Sequence, residues 1–145
     1  MNPKARGEKG QRIVIGELAK LDVDVAIPLT DNLPFDLVVI YGGKLFKAQI
    51  KSSCRAGSLS LGNIVFSLTT NNWYKGTKKK YTSTDCDIMF LCDYKNVYLL
   101  SSGEFSNRAS FTIRQKVAVN GQSKGCNMHD NYVLSSSRLE KILEF

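Results

Sequence analysis

The sequence predicts a single α/β domain over residues 1–145, a central mixed β-sheet flanked by helices. Three observations predict it. The chain opens on apolar residues at mixed helical spacing, continues through short, strongly apolar runs divided by Gly, Asn and Asp turns, and closes on a capped amphipathic segment. At 145 residues with 43% hydrophobic side chains it has the size of one domain and enough apolar material for a real core.

Taken in order, residues 4–21 (KARGEKGQRIVIGELAKL) carry Ile13, Ile15, Leu18 and Leu21 on a helix that Pro3 can start, weakened by Gly7, Gly10 and Gly16. DVDVAIP alternates and is a short strand ending at Pro28, and LTDNLP is a loop. FDLVVIY is apolar on both faces, which places it centrally in a sheet. Gly42-Gly43 turns the chain, and LFKAQIKSS returns beside it. NIVFSL is a strand followed by a Lys-rich polar loop, CDIMFLCDY and VYLLSS form an apolar hairpin, and ASFTIRQ is a further strand. SSSRLEKILEF is a short terminal helix with Ser136 or Ser137 as N-cap and Glu140 reaching back; its apolar face is a candidate subunit interface.

The charge narrows the partners. Twenty Lys+Arg against 13 Asp+Glu leave a net charge of +7, which favours polyanions, nucleic acid first. MNPKARGEKGQR has no apolar stretch of the signal-peptide kind, and no run approaches the roughly 20 apolar residues of a membrane span. A cytoplasmic location without a membrane partner is therefore expected. Cys54, Cys86, Cys92 and Cys126 are then expected as thiols; none of them has C-x2-C spacing, and His129 is the sole histidine, which argues against zinc and against an HNH-type nuclease. Asp85 and Asp87 are an acidic pair at a strand start, expected to order the loop. Cys86 and Cys92 are expected to be small core residues.

Chemistry concentrates in one hairpin. Strand parity puts Gln49 and Lys51 on one face and Ala48 and Ile50 on the other. Asp36 lies six residues before Gly42 and Lys51 eight after Gly43, so folding at the glycine turn brings Asp36 to the Gln49–Lys51 end. A carboxylate, an amide oxygen and an ammonium at the edge of a dry sheet suit phosphodiester hydrolysis. Asp36 and Gln49 can hold a hard divalent cation such as Mg²⁺, and Lys51 can stabilise developing charge or orient water. The same residues also fit an ordinary Asp–Lys pair at a hairpin end.

PFD-x12-QIK, that is Asp36 with Gln49 and Lys51, resembles the PD-(D/E)XK motif of the restriction-endonuclease superfamily, with Gln49 where Glu or Asp usually stands. The resemblance implies a restriction-endonuclease-like core and a glutamate contributed by the first helix. IGELAKL offers Glu17 for that role; Glu8, nine residues away, lies on the opposite helix face. The Q-x-K ending, the chain length and the following strand pair are similar to PD-(D/E)XK homing endonucleases of bacterial, notably cyanobacterial, group I introns. What this implies is a double-stranded DNA endonuclease using Mg²⁺ or Mn²⁺. Glu17, Asp36 and the Ile50 carbonyl would bind metal, Gln49 would assist, and Lys51 would act on phosphate and water. Cutting both strands implies a dimer or, as the resemblance suggests, a tetramer.

Two regions are expected on the DNA, residues 73–82 and 108–126. YKGTKKKYT supplies Lys75, Lys78, Lys79 and Lys80, with Trp73, Tyr74 and Tyr81 interleaved, for phosphates. SFTIRQKVAVNGQSKG supplies Arg114, Gln115, Lys116, Gln122 and Lys124 on a ribbon that can enter a major groove, with Arg114, Gln115 and Gln122 as base readers. A structure-selective nuclease such as a Holliday-junction resolvase, or a catalytically silent DNA-binding domain with a decayed Gln49 site, remains an alternative.

Overall fold

The computed structural model describes residues 2–53, 62–72, 76–115 and 127–144. Helix α1 (Pro3–Lys20) begins where expected: Asn2 is the N-cap, its side chain accepting the Ala5 N–H at 2.8 Å, and Pro3 is the first helical residue. It stops at Asp22, whose φ of 57° breaks the helical path. None of the described helices is long and apolar enough to cross a membrane.

Five strands form the main sheet in the order β1-β2-β3-β7-β8: β1 (Asp24–Ala26), β2 (Leu37–Tyr41), β3 (Lys44–Ser52), β7 (Ile88–Cys92) and β8 (Val97–Ser101). Only the β3–β7 pairing is parallel, so the sheet is mixed as expected. Strands β4 (Asn63–Ser67) and β9 (Ser110–Arg114) make a second, antiparallel pair. Strands β5 (Thr69–Asn72) and β6 (Thr77–Lys80) pair as a hairpin where the sequence suggested a loop.

Strand parity sorts the core into two layers. Leu37, Val39, Ala48, Ile50, Ile88 and Phe90 face Val14 and Leu18 of α1 and Leu139, Ile142 and Leu143 of α4 (Ser136–Leu143). Met89, Leu91, Tyr98 and Leu100 face Phe66, Leu68, Tyr81, Phe105, Phe111 and Ile113. The strand buried throughout on both faces is thus β7, not β2: the second layer spans β7 and β8, and Ile40 of β2 remains exposed. The apolar face of the terminal helix is likewise consumed inside the chain, with Leu139, Ile142 and Leu143 buried, which removes it as an interface. Its cap is Ser135, one residue earlier than expected, accepting the Arg138 N–H at 3.1 Å. The capping box forms instead on α2 (Ser102–Phe105), between Ser101 and Glu104. Both α2 and α3 (His129–Tyr132) are four-residue helices that carry no apolar periodicity in the sequence.

Candidate active site

A cleft of about 920 Å³ opens where the C-terminal end of β3 meets the first half of α1 and the β4–β5 segment. Asp36, Ile50 and Lys51 line it, with Glu8, Lys4 and Arg6 from the helix and Ser67 and Thr69 opposite. The β2–β3 ladder runs from Tyr41 opposite Lys44 to Leu37 opposite Ala48, so Asp36 sits at the end facing Gln49. There the chain leaves the sheet, and the side chain continues the ladder: Asp36 Oδ2 accepts the Ile50 N–H at 3.0 Å. Because the N–H and C=O of one strand residue point to the same edge, the Ile50 carbonyl faces this side too.

Gln49 and Lys51 project together onto the face opposite α1, as parity requires. Gln49 is 9% exposed and donates from Nε2 to the Tyr81 hydroxyl at 3.1 Å, leaving Oε1 as its remaining acceptor. Lys51 Nζ donates to the Thr69 carbonyl at 3.0 Å and lies 4.9 Å from the centre of the Tyr81 ring.

Asp36 and Lys51 are electrostatically linked without touching. Burial raises the Asp36 pKa above 3.8, opposed by the Ile50 N–H and by the charge of Lys51. Burial lowers the Lys51 pKa below 10.5, opposed by Asp36 and by Cys86. Yet none of the ion pairs among the described residues joins them; each is held by a different partner, the Ile50 N–H for one and the Thr69 carbonyl for the other. A satisfied Asp–Lys pair would close this gap. The observed arrangement keeps opposite, partly dehydrated charges apart around a space open to the cleft.

The donors suit a hard cation. Asp36 supplies a carboxylate oxygen beyond the one bound to Ile50, the Ile50 backbone a carbonyl, and the surrounding cleft room for water. Among the described residues no three His, Cys, Asp or Glu side chains converge, so the site cannot enclose a metal by itself. Magnesium, which keeps several waters and takes one or two carboxylates plus a phosphate, fits such a half-site.

The remaining expected residues separate. Glu17 is not brought to the cleft: it pairs with Lys20 at 2.9 Å on the helix surface. The cleft meets the N-terminal half of α1, and Glu17 lies nine residues beyond Glu8, about 13 Å along the axis. Glu8 is the helix carboxylate that lines it, exposed at its wall. Lys4, Glu8 and Gln11 share one helix flank at i, i+4 and i+7 spacing, the signal by which the sequence could have found them.

Lys78, Lys79 and Lys80 are exposed on β6, and Lys79 pairs with Asp85 at 3.3 Å. Arg114 is 8% exposed and bonded through its backbone to Asn127, so its burial removes it from base reading. Gln115 is also committed elsewhere, donating to Asp93 at 3.1 Å and to the Tyr98 hydroxyl at 3.3 Å. The strand that ends at Arg114, β9, pairs with β4. Lys75, Lys116, Gln122 and Lys124 lie outside the described residues, as do Trp73, Tyr74, Cys54 and Cys126. Asp85 and Asp87 do order backbone: Asp85 accepts the Thr82 N–H at 2.9 Å and Asp87 the Lys47 N–H at 2.8 Å. Cys86 and Cys92 are buried free thiols. His129 stacks edge-on against Tyr98, with ring centres 5.3 Å apart.

Comparison with known proteins agrees with this geometry. No curated protein matches the sequence. A solved structure titled as that of a bacterial homing endonuclease, I-Ssp6803I, is similar at a TM-score of 0.69 and 26% identity, covering 86% of this chain and 84% of that one. The family model for PD-(D/E)XK endonucleases matches residues 1–135, a span that holds the helix, the hairpin and the whole cleft. With that match over nearly its entire length, the chain belongs to the PD-(D/E)XK endonuclease family.

Proposed function

We propose that this nuclease is a site-specific homing endonuclease that hydrolyses double-stranded DNA with Mg²⁺ or Mn²⁺ and promotes the mobility of the intron encoding it. The observation that carries the reading is the separation of Asp36 from Lys51 in a cleft large enough for a phosphodiester backbone. The similarity to a bacterial homing endonuclease over most of both chains supports the homing assignment.

Asp36 and the Ile50 carbonyl would hold the cation, with Glu8, in place of Glu17, as the carboxylate contributed by the helix. The bound cation supplies positive charge to the scissile phosphate and acidifies a water. Gln49 offers an uncharged oxygen where a carboxylate is usual, so the protein contributes one negative charge fewer. Lys51 places an ammonium against the charge that develops on the phosphate and, lacking a carboxylate partner, keeps a hydrogen free for that oxygen. Lys4 and Arg6 at the cleft, and Lys78 and Lys80 on β6, contact flanking phosphates. Lys75, Lys116, Gln122 and Lys124 are proposed as further DNA contacts on residue type alone. Cutting both strands at one site takes two such clefts, hence a homo-oligomer with two-fold symmetry, a dimer or tetramer.

The test is cleavage of a duplex spanning the intron insertion site, in Mg²⁺ or EDTA, by wild type and Lys51→Ala. Site-specific double-strand cutting that EDTA abolishes and Lys51→Ala reduces by about 10²–10³ is expected. Preference for a four-way junction whatever its sequence would refute homing, and binding without any cutting would refute catalysis.

A further inference from the structure

One buried side chain touches two of the proposed catalytic residues and figures in neither the motif nor the cleft wall. Tyr81 follows β6 and is 6% exposed. Its carbonyl accepts the Asn107 N–H at 2.9 Å, and the turn after it is closed by Asp85 on the Thr82 N–H, so the backbone carrying the ring is fixed on both sides. The hydroxyl takes the Gln49 Nε2–H at 3.1 Å, and the ring face lies under the Lys51 ammonium at 4.9 Å.

We propose that Tyr81 is a positioning residue of the cleavage site, its hydroxyl fixing the Gln49 amide beside the cleft, and its ring holding the Lys51 ammonium away from Asp36. The inference rests on the nuclease reading above. A buried phenol needs hydrogen-bond partners, and this one has the Thr70 side chain and the motif residue that departs from the family pattern. Burial pushes the phenol up to about 12, so it stays neutral and never competes with the phosphate as a counter-charge for Lys51.

Two variants divide the roles: Tyr81→Phe removes the hydroxyl and keeps the ring, and Tyr81→Leu removes both. On the insertion-site duplex in Mg²⁺, Tyr81→Phe is expected to slow single-turnover cleavage about tenfold and Tyr81→Leu about a hundredfold, with duplex affinity within about twofold of wild type. In a Gln49→Ala background, Tyr81→Phe should add nothing. Independently of cutting, ¹⁵N spectra should show slow exchange of the Gln49 side-chain amide protons in wild type and solvent-like exchange in Tyr81→Phe. Wild-type cleavage with an unimpaired Tyr81→Phe, an equal loss in both backgrounds, or unchanged amide exchange would overturn the inference alone. A wild type that cuts no DNA would overturn the nuclease reading, and this inference with it.

Discussion

Gly10 is a point of close approach between the helix and the end of β3, and it supplies the sharpest test of how the cleft is assembled. It is a buried residue in the N-terminal half of α1, the half that lines the cleft. A Cβ built there would lie 1.9 Å from Ser52 Oγ and 3.1 Å from Ser52 Cβ, where ordinary contact begins at 3.4 Å. Rotation of the hydroxyl relieves the first contact and leaves the second, so the helix or the end of β3 must also give by a few tenths of an ångström. Overpacking of this kind costs about 1–3 kcal/mol, and the better helix propensity of alanine returns about 1 kcal/mol. The expected net loss for Gly10→Ala is therefore about 1 kcal/mol, a fall in Tm of about 2–4 °C by thermal unfolding. Gly16→Ala is the internal control: nothing lies within 4 Å of the new methyl, so propensity alone acts and Tm rises by a similar amount. Ser52→Ala alone should stabilise by about 1 kcal/mol, since Ser52 Oγ is buried without a hydrogen-bond partner. A Gly10→Ala protein that gains stability like Gly16→Ala would refute the close approach.

Three further predictions bear on the chemistry. Asp36→Asn should abolish cleavage yet raise stability by about 0.5–1 kcal/mol at neutral pH. Its carboxyl has a raised pKa, so the folded state disfavours the ionised form; the stability gap between variant and wild type should open as pH rises from about 3.8 through the raised value and vanish in acid, which unfolding curves across pH would show. Glu8→Gln should reduce cleavage at least tenfold, while Glu17→Gln, losing only an exposed pair with Lys20 worth about 0.3 kcal/mol, should cut at the wild-type rate. The Lys51 ammonium, facing Asp36 and Cys86 and lowered by burial, should lose its proton below 10.5; the rate of cleavage should then fall on an alkaline limb below that pH, with duplex binding followed separately, and a rate that stays level to 10.5 would contradict it.

The central hairpin was legible because two local rules specify it completely. Gly42 and Gly43 take positive φ of 58° and 76°, which sets the turn and hence the pairing, and period-two alternation then assigns Gln49 and Lys51 to one face. The helix carboxylate was not legible by the same means. Helical spacing states correctly that Glu8 and Glu17 face opposite ways, but which one meets the sheet depends on where along α1 the contact falls. That is set by tertiary packing, Gly10 against Ser52, 42 residues apart in sequence, together with Val14 and Leu18 on the sheet, and by no local pattern. Arg114 and Gln115 misled for a related reason. Their residue types suit base edges, yet the pairing of β9 with β4 buries one, and the Asp93–Tyr98 pair engages the other.

Strand β3 shows why a motif this short is weak in sequence and strong in structure. Both of its edges are capped by an aspartate in place of backbone: Asp36 accepts the Ile50 N–H on the β2 side, and Asp87 accepts the Lys47 N–H on the β7 side, at 3.0 and 2.8 Å. Residue type, bond and distance are nearly the same, so no pattern of letters separates them. What separates them is the surroundings. Each also donates its own N–H to a β3 carbonyl, Asp87 to Lys47 at 2.8 Å and Asp36 to Ala48 at 2.9 Å, but only Asp36 lines the cleft and is linked in charge to a lysine it does not touch. The first arrangement is complete as it stands. The second leaves opposite charges apart beside an open cleft, and that separation is what the proposed phosphate site rests on.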